Sequence, residues 1–362
     1  MIILIVIIGL SVLILVHELG HFLTAKMFGV KVEEFGFGFP PRILAWRPKR
    51  WLKDKGTLRQ AQGETEYSFN WLPFGGFVKI FGEDAESGET SERSFVSQSV
   101  WKRSVIVLAG VFMNIILGWL ILSIVLMVGS PEHLMISEVA PQSPAAITGL
   151  KPSDLIISAS YGSAVLTDPI KSESLVDLVK SAKGEEVLLQ AKRGGEILDF
   201  SLRGRLNPPP GEGAIGVALL EIGFPASSFF DALGKGLVNT SEAIQAISVG
   251  FLNLFTKIFV NPEIVRSLTG PVGIFAVANQ TGQLGFIYLF QLIALISLNL
   301  AVLNFIPFPA LDGGRFLFLI IEKIKGSPVS YKFQRIVNTV GFALLVILMI
   351  VVTVQDIIKI GR

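Results

Sequence analysis

The sequence predicts a multi-pass α-helical membrane protein with about four transmembrane helices, an inserted outward-facing α+β domain and a β-rich loop on the cytoplasmic side. Three observations carry that expectation. The chain of 362 residues is 51% apolar, with a mean hydropathy of +0.61, more than an ordinary soluble domain of this length holds. Four apolar stretches reach the roughly 20 residues needed to cross a bilayer. Basic residues gather in two of the segments between those stretches. The formal charge of +2 is too near balance to argue for nucleic acid. With no cysteine in the chain, disulfides, thiolate ligands and thiol nucleophiles are all excluded.

The first span, residues 1–25, is apolar from Ile2 and becomes polar only toward its end, at HELGH. It has no basic leader and no small-residue cleavage site, so it reads as a retained span rather than a signal peptide. A loop over 26–103 follows, with Lys26, Lys31, Arg42, Arg47, Lys49, Arg50, Lys53, Lys55 and Arg59 ahead of the second span, 104–128. The third span and the motif that ends it occupy 284–314. A second basic loop, 315–336, carries Arg315, Lys323, Lys325, Lys332 and Arg335, and the fourth span covers 337–358. The positive-inside rule puts both basic loops in the cytoplasm and the segment between spans two and three outside.

That outward segment, 130–206, reads as short strands (MISEV, LIISAS, EVLLQAKRG, ILDFSLRG) around one helix, ESLVDLVKSAK, punctuated by APQSPA, GLKPSD, KGEE and RGGE. NPPPGEGA, 207–214, reads as a linker by composition. It opens a region, 207–283, that continues into an amphipathic helix over Phe229–Val260. There Asp231, Lys235, Glu242 and Lys257 favour lying at the membrane interface over crossing. In the cytoplasmic loop, ETEYSFNWLPFGGFVKIFGED partly alternates apolar and polar residues, with a turn marked by Pro73, Gly75 and Gly76.

HELGH is an instance of H-E-x-x-H. On a helix, positions i and i+4 share a face, so His17 and His21 can hold one ion with Glu18 beside its water. Ionisable groups inside a span are costly and rare unless used. Interfaces favour Trp, Tyr, Lys and Arg over a His–Glu–His cluster as simple helix-end markers. A catalytic zinc takes three protein ligands and leaves a position for water. His133, the third histidine, lies past the outer end of span two, whereas His17 is roughly 22 Å along its helix from Ile2, toward the inner side. His133 therefore reads as a surface residue. Asp312, in NFIPFPALDGGR, follows a span that runs inward and ends at similar depth. Pro307 and Pro309 break the helix, and Gly313 and Gly314 allow a close turn. Broken helix at that depth is tolerated only within protein or a wet cavity.

These residues resemble the bacterial site-two proteases, zinc intramembrane metalloproteases of the RseP/RasP type. HELGH is similar to that family's zinc helix, AGVFMN (Ala109 to Asn114) to its second-span glycine–asparagine motif, and NFIPFPALDGGR to its N-x-x-P-x-P-x-L-D-G signature. FGFGFPPRILAW and WLPFGGFVKIFGED resemble its membrane-associated β-loop, and SERSFVSQSVWKR and TGPVGI also fit. The resemblance implies a Zn2+ cofactor with Asp312 as third ligand, and Asn304 holding the substrate backbone near the metal. It also implies a cytoplasmic membrane of a bacterium as location, with the active site toward the cytoplasmic face. The outward domain becomes an extracytoplasmic PDZ-like α+β domain, one where longer members have two. No GLGF-type carboxylate loop stands out between Leu134 and Arg205, so the domain reads either as a peptide or protein binder or as a steric filter.

The implied activity is hydrolysis of single-span membrane proteins within or near the bilayer, with Glu18 as general base. It would serve regulated release of a membrane-held regulator or signal-peptide removal. Asn114 reads equally as a substrate contact or as polar glue between helices. Two other classes fit the same residues: a non-proteolytic membrane scaffold built around the PDZ-like domain, and a metal-ion carrier. The carrier would need more ionisable residues along the other spans than the sequence offers.

Overall fold

A computed structural model describes residues 2–54, 57–62, 65–83, 91–257 and 269–360. Lys55, Asp84 and residues 258–260 of the expected interfacial helix lie outside the described residues. The chain forms two compact units, one made of 1–122, 233–279 and 290–362, the other of 123–232 and 280–289.

The first unit is built on helices whose apolar sequences leave them no reason to end inside a bilayer. They are α1 (Ile2–Met27), α2 (Val100–Val128), α7 (Phe286–Phe305) and α9 (Tyr331–Ile360). All four are long and apolar enough to cross a membrane, and they match the four spans expected. Small residues let three of them approach closely. A Cβ on Gly9 would meet Ile293 of α7 at 2.9 Å, and one on Gly118 would meet Leu298 at 2.6 Å. A Cβ on Gly20 would strike the Ala109 carbonyl of α2.

Between α1 and α2 the chain forms β1 (Val32–Trp46), the hairpin β2 (Lys49–Asp54) and β3 (Thr57–Gln62), and β4 (Glu66–Ile80). β4 doubles back at the expected turn, where Gly75 takes a φ of 70°. Both of its arms flank the first half of β1, so that Phe35 pairs with Val78 on one side and Tyr67 on the other. The arm 76–80 is the outer strand and lies against α1, with Ile14 3.0 Å from where a Gly75 Cβ would stand. At the far end of the pair, Phe39, Ile43, Leu44, Trp46, Trp71 and Leu72 are exposed.

The second unit carries a six-stranded sheet in the order β10-β5-β6-β8-β9, with β7 paired to β6. Its elements are β5 (Ser130–Val139), α3 (Pro144–Thr148), β6 (Leu155–Tyr161), β7 (Ala164–Thr167), α4 (Ser172–Ser181), β8 (Glu186–Arg193), β9 (Glu196–Arg203) and β10 (Val217–Phe224). Leu134, Ile136, Ile156, Leu175, Val187 and Leu189 are fully buried in its core. Asp154, wholly buried, holds Arg193 through two hydrogen bonds of 2.6 Å.

Three sequence boundaries shift. The domain does not end at 206, because β10 pairs with β5 from Val217↔Val139 to Phe224↔Ser130. Residues 207–214 are thus a loop inside the domain: Arg205 N–H bonds the Ala214 carbonyl, and Ile215 is a core residue. Proline and glycine gave that loop a linker's composition, while the strand after it pairs with β5, some 80 residues earlier in the chain. The region 207–283 also holds two helices, α5 (Phe229–Lys257) and α6 (Pro271–Leu284), rather than one. α5 packs Ala243, Ile244 and Ile247 against Leu122, Ala294 and Leu298, leaving Phe230, Leu237, Val238 and Leu252 exposed. Finally, the basic loop expected at 315–336 is mostly helix. α8 (Asp312–Lys325) buries Phe318 and Leu319, because RFLFLIIEKIK repeats its apolar residues at helical spacing.

α8 is fixed to α2 by a buried, two-pronged ion pair. Arg103 Nη1 donates to Glu322 Oε2 at 3.1 Å while Nη2 donates to Oε1, and the Arg103 Nε donates to the Gln98 carbonyl. The two side chains are 9% and 12% exposed. Removing one member strands a buried charge, at a cost of about 3–5 kcal/mol, whereas an apolar pair of similar volume is tolerated. Glu322→Ala is therefore expected to lower the thermal midpoint in detergent sharply, and the double variant R103M/E322M to recover most of the loss. Equal losses in both variants would contradict this account of the pair.

Candidate metal centre

His17 and His21 sit one turn apart in the second half of α1, on the face turned toward α2. Both are 8% exposed. The third group arrives from far along the chain. After α7 ends at Phe305, the segment 306–311 turns tightly, and Asp312 opens α8. The glycines that follow are required by crowding: a Cβ on Gly313 would strike the Phe305 and Ile306 carbonyls, and one on Gly314 the Phe308 carbonyl. The Asn338 side chain of α9 accepts the Ala310 N–H at 3.2 Å. The proline breaks and glycine pair read from NFIPFPALDGGR thus bring Asp312 back to the end of α1.

The three groups converge. His17 Nε2 lies 2.9 Å from Asp312 Oδ2, His21 Nε2 lies 3.4 Å from the same oxygen, and the two Nε2 atoms are 3.2 Å apart. A tetrahedral zinc with arms of about 2.0–2.1 Å needs donors about 3.3 Å apart, so the triangle has the dimensions of one face of such a site. Among the described residues these are the one group of three potential ligands. Space for an ion is kept by the α2 backbone: a Cβ on Gly110 would stand 2.6 Å from both Nε2 atoms. The residues present fit a zinc ion.

The ring of His21 is oriented from behind, its Nδ1 2.8 Å from the Ile106 carbonyl. A carbonyl only accepts, so Nδ1 carries the proton and Nε2 keeps its lone pair toward the cluster. Glu18 lines a cavity of about 190 Å3 with His21, Asp312, Phe77, Val78, Ile106 and Arg315. Its Oε2 accepts the Val78 N–H of β4 at 3.1 Å. The cavity wall also holds an Arg315–Glu83 ion pair. The sequence does not single out Glu83 or Val78; both lie in the segment WLPFGGFVKIFGED that resembles a membrane-associated β-loop.

The remaining expected residues fall in two groups. Asn114, on α2, is buried at 1% exposure with its Nδ2 3.4 Å from His17 Nδ1, and so lies behind the cluster. Asn304, near the end of α7, is half-buried and does not line the described cavity. His133 belongs to the second unit, its Nδ1 2.7 Å from Asp168 Oδ2.

Comparison with known proteins gives the chain its class. The family model for peptidase family M50 matches residues 5–348, so the chain belongs to peptidase family M50, the site-two proteases, and is a zinc metalloprotease. Among its relatives is a Clostridium perfringens protein, named provisionally as a zinc metalloprotease, 34% identical over 96% of each chain. A Nostoc protein with a similar provisional name is 33% identical over 96% of this chain and 93% of its own. The zinc metalloprotease RasP of Geobacillus kaustophilus is 28% identical over 96% of this chain and 95% of its own. With four helices long enough to cross a bilayer, this metalloprotease is a membrane protein.

Gly110 supplies a test of the geometry. Alanine is the better helix former by about 1 kcal/mol, so Gly110→Ala should leave α2 helical by circular dichroism. Its methyl would nevertheless fall between the donors, and zinc per polypeptide is expected to drop toward zero. Full zinc content in this variant would mean that the donors do not converge above Gly110.

Proposed function

We propose that this enzyme cleaves single-span membrane proteins within or near the bilayer, with His17, His21 and Asp312 as zinc ligands and Glu18 as the acid–base residue. The observation that carries the reading is the meeting of two imidazoles and a carboxylate at tetrahedral spacing, at the end of an apolar helix, with a second carboxylate in the adjoining cavity. Zinc held there supplies Lewis-acid activation of water and of the scissile carbonyl. Glu18 takes the proton from the attacking water and later delivers it to the leaving amine. Its bond from the Val78 N–H fixes one carboxylate oxygen and leaves the other for that transfer. Burial of the cluster keeps bulk water away from the charge that develops.

A helical substrate must open before its backbone can be attacked. The outer arm of β4, which runs past Glu18 and pairs with β1 on one side, offers a strand for the opened segment to pair with, as in β-augmentation. Asn304 holds the extended backbone on the α7 side. The exposed aromatic and aliphatic tip of β1 and β4 supports a loop that dips into lipid. The basic segments 26–103 and 315–336 support a cytoplasmic face for this end of the molecule, in the inner membrane of a bacterium, and an extracytoplasmic position for 130–224.

The second unit reads as a PDZ-like domain. An apolar cavity of about 380 Å3 lies between α4 and the edge strand β10, lined among others by Leu175, Val179, Ile215 and Val217. The segment Ala214–Val217 enters that strand directly, which explains why no carboxylate-binding loop stands out before Arg205. The cavity supports a peptide or protein ligand for this domain. Release of a membrane-held regulator and removal of signal peptides are both reactions of the proposed substrate class.

Glu18→Gln keeps the shape of the side chain and removes its basicity. The variant is expected to hold zinc as the wild type does while losing cleavage of a single-span reporter by at least about 100-fold. Cleavage at the wild-type rate would overturn the assignment of Glu18, and with it the protease mechanism built on this cavity.

A further inference from the structure

His17 faces a neighbour that no other part of the mechanism uses. For His17 Nε2 to offer a lone pair to a metal, its Nδ1 must carry the proton, and a buried N–H needs an acceptor. His21 meets that requirement with the Ile106 carbonyl. What faces His17 Nδ1 is the Asn114 amide, with Nδ2 at 3.4 Å and Oδ1 buried without a hydrogen-bond partner. A donor at that place and a protonated Nδ1 are incompatible. Two ends of an amide are distinguished by the network around them, and a half-turn about χ2 puts Oδ1 where Nδ2 stands.

We propose that Asn114 is a positioning residue of the metal centre, its side-chain carbonyl accepting the Nδ1–H of His17 and so presenting Nε2 to the ion. This deepens the reading above, because it rests on His17 being a ligand through Nε2. It reassigns Asn114 from the substrate contact or helix glue read from sequence. The backbone at Asn114 is itself anchored, since Ser297 of α7, wholly buried, donates its Oγ–H to the Asn114 carbonyl at 2.8 Å. At 1% exposure the side chain is enclosed among the helices. The two ligand histidines are thus held by two acceptors on one helix, a backbone carbonyl at 106 and a side-chain carbonyl at 114, two turns apart on α2.

Acceptor and donor roles separate cleanly by substitution. Asn114→Asp keeps the acceptor and loses the donor; Asn114→Ala loses both. Zinc affinity and zinc dissociation into a chromogenic chelator are measured on full-length protein in detergent, alongside His17→Ala. Asn114→Ala is expected to weaken zinc binding about 10–100-fold, as outer-shell partners of ligand histidines do, while Asn114→Asp stays within a few-fold of wild type. Histidine 1H–15N spectra of the zinc-loaded wild type should show the His17 proton on Nδ1. Wild-type zinc affinity in Asn114→Ala, or equal loss in Asn114→Ala and Asn114→Asp, would overturn the proposal. If Asn114→Ala binds normally but His17→Ala does not, the metal site stands and only the positioning role falls. Should His17→Ala also bind zinc normally, both readings fall together.

Discussion

The structure depends on a triangle of donor atoms. Two nitrogens from one helix turn and one oxygen from a residue nearly 300 positions later must stand about 3 Å apart without a bound ion's attraction being built into the chain. The surrounding fold has to hold them there against desolvation, since buried ionisable groups are costly alone. What makes the triangle possible is the absence of side chains. Gly20 lets α1 lie against the Ala109 carbonyl, Gly110 keeps α2 clear of both Nε2 atoms, and Gly313 and Gly314 let the chain return beneath the end of α7. The Arg103–Glu322 pair then holds α8, and Asp312 at its start, to the same helix that carries Gly110.

The carboxylate beside the donor triangle is coupled to the sheet as well as to the helix. Glu18 belongs to α1, yet one of its oxygens is bound to the backbone of β4. A packed cluster of Ala25, Val30, Val32, Ile80, Ile106 and Leu319 joins the end of α1 to β1, β4, α2 and α8. Any displacement of the outer β4 arm is therefore felt at the carboxylate. In the proposed mechanism the same strand would receive substrate, and its bond to Glu18 gives a physical route for substrate engagement to set the position of that carboxylate.

The convergence of His17, His21 and Asp312 was legible in the sequence because their chemistry is rare in apolar surroundings. Two of the three histidines in the chain fall on one helix face, and an aspartate follows a proline-broken helix at matching depth. Long apolar runs also marked the four helices long and apolar enough to cross a membrane. What stayed hidden depended on long-range pairing. β10 looked like chain beyond a linker, since its partner β5 is some 80 residues earlier. The α8 helix was masked by its basic residues, which set topology but do not prevent a buried apolar face. Asn114 was visible as a polar residue in a span, but only the position of His17 Nδ1 distinguishes a histidine-orienting role from a substrate contact. The segment that carries Val78 was visible through its resemblance to a β-loop, but not the role of its N–H, because a backbone donor leaves no trace in residue type.

The donor triangle can be observed directly by zinc K-edge X-ray absorption on the purified full-length protein. One zinc per chain is expected, with only nitrogen and oxygen neighbours at about 2.0–2.1 Å and an imidazole scattering signature of two rings. A spectrum showing a single imidazole or none, or one unchanged when Asp312 is replaced by alanine, would contradict the convergence of these three residues on one ion.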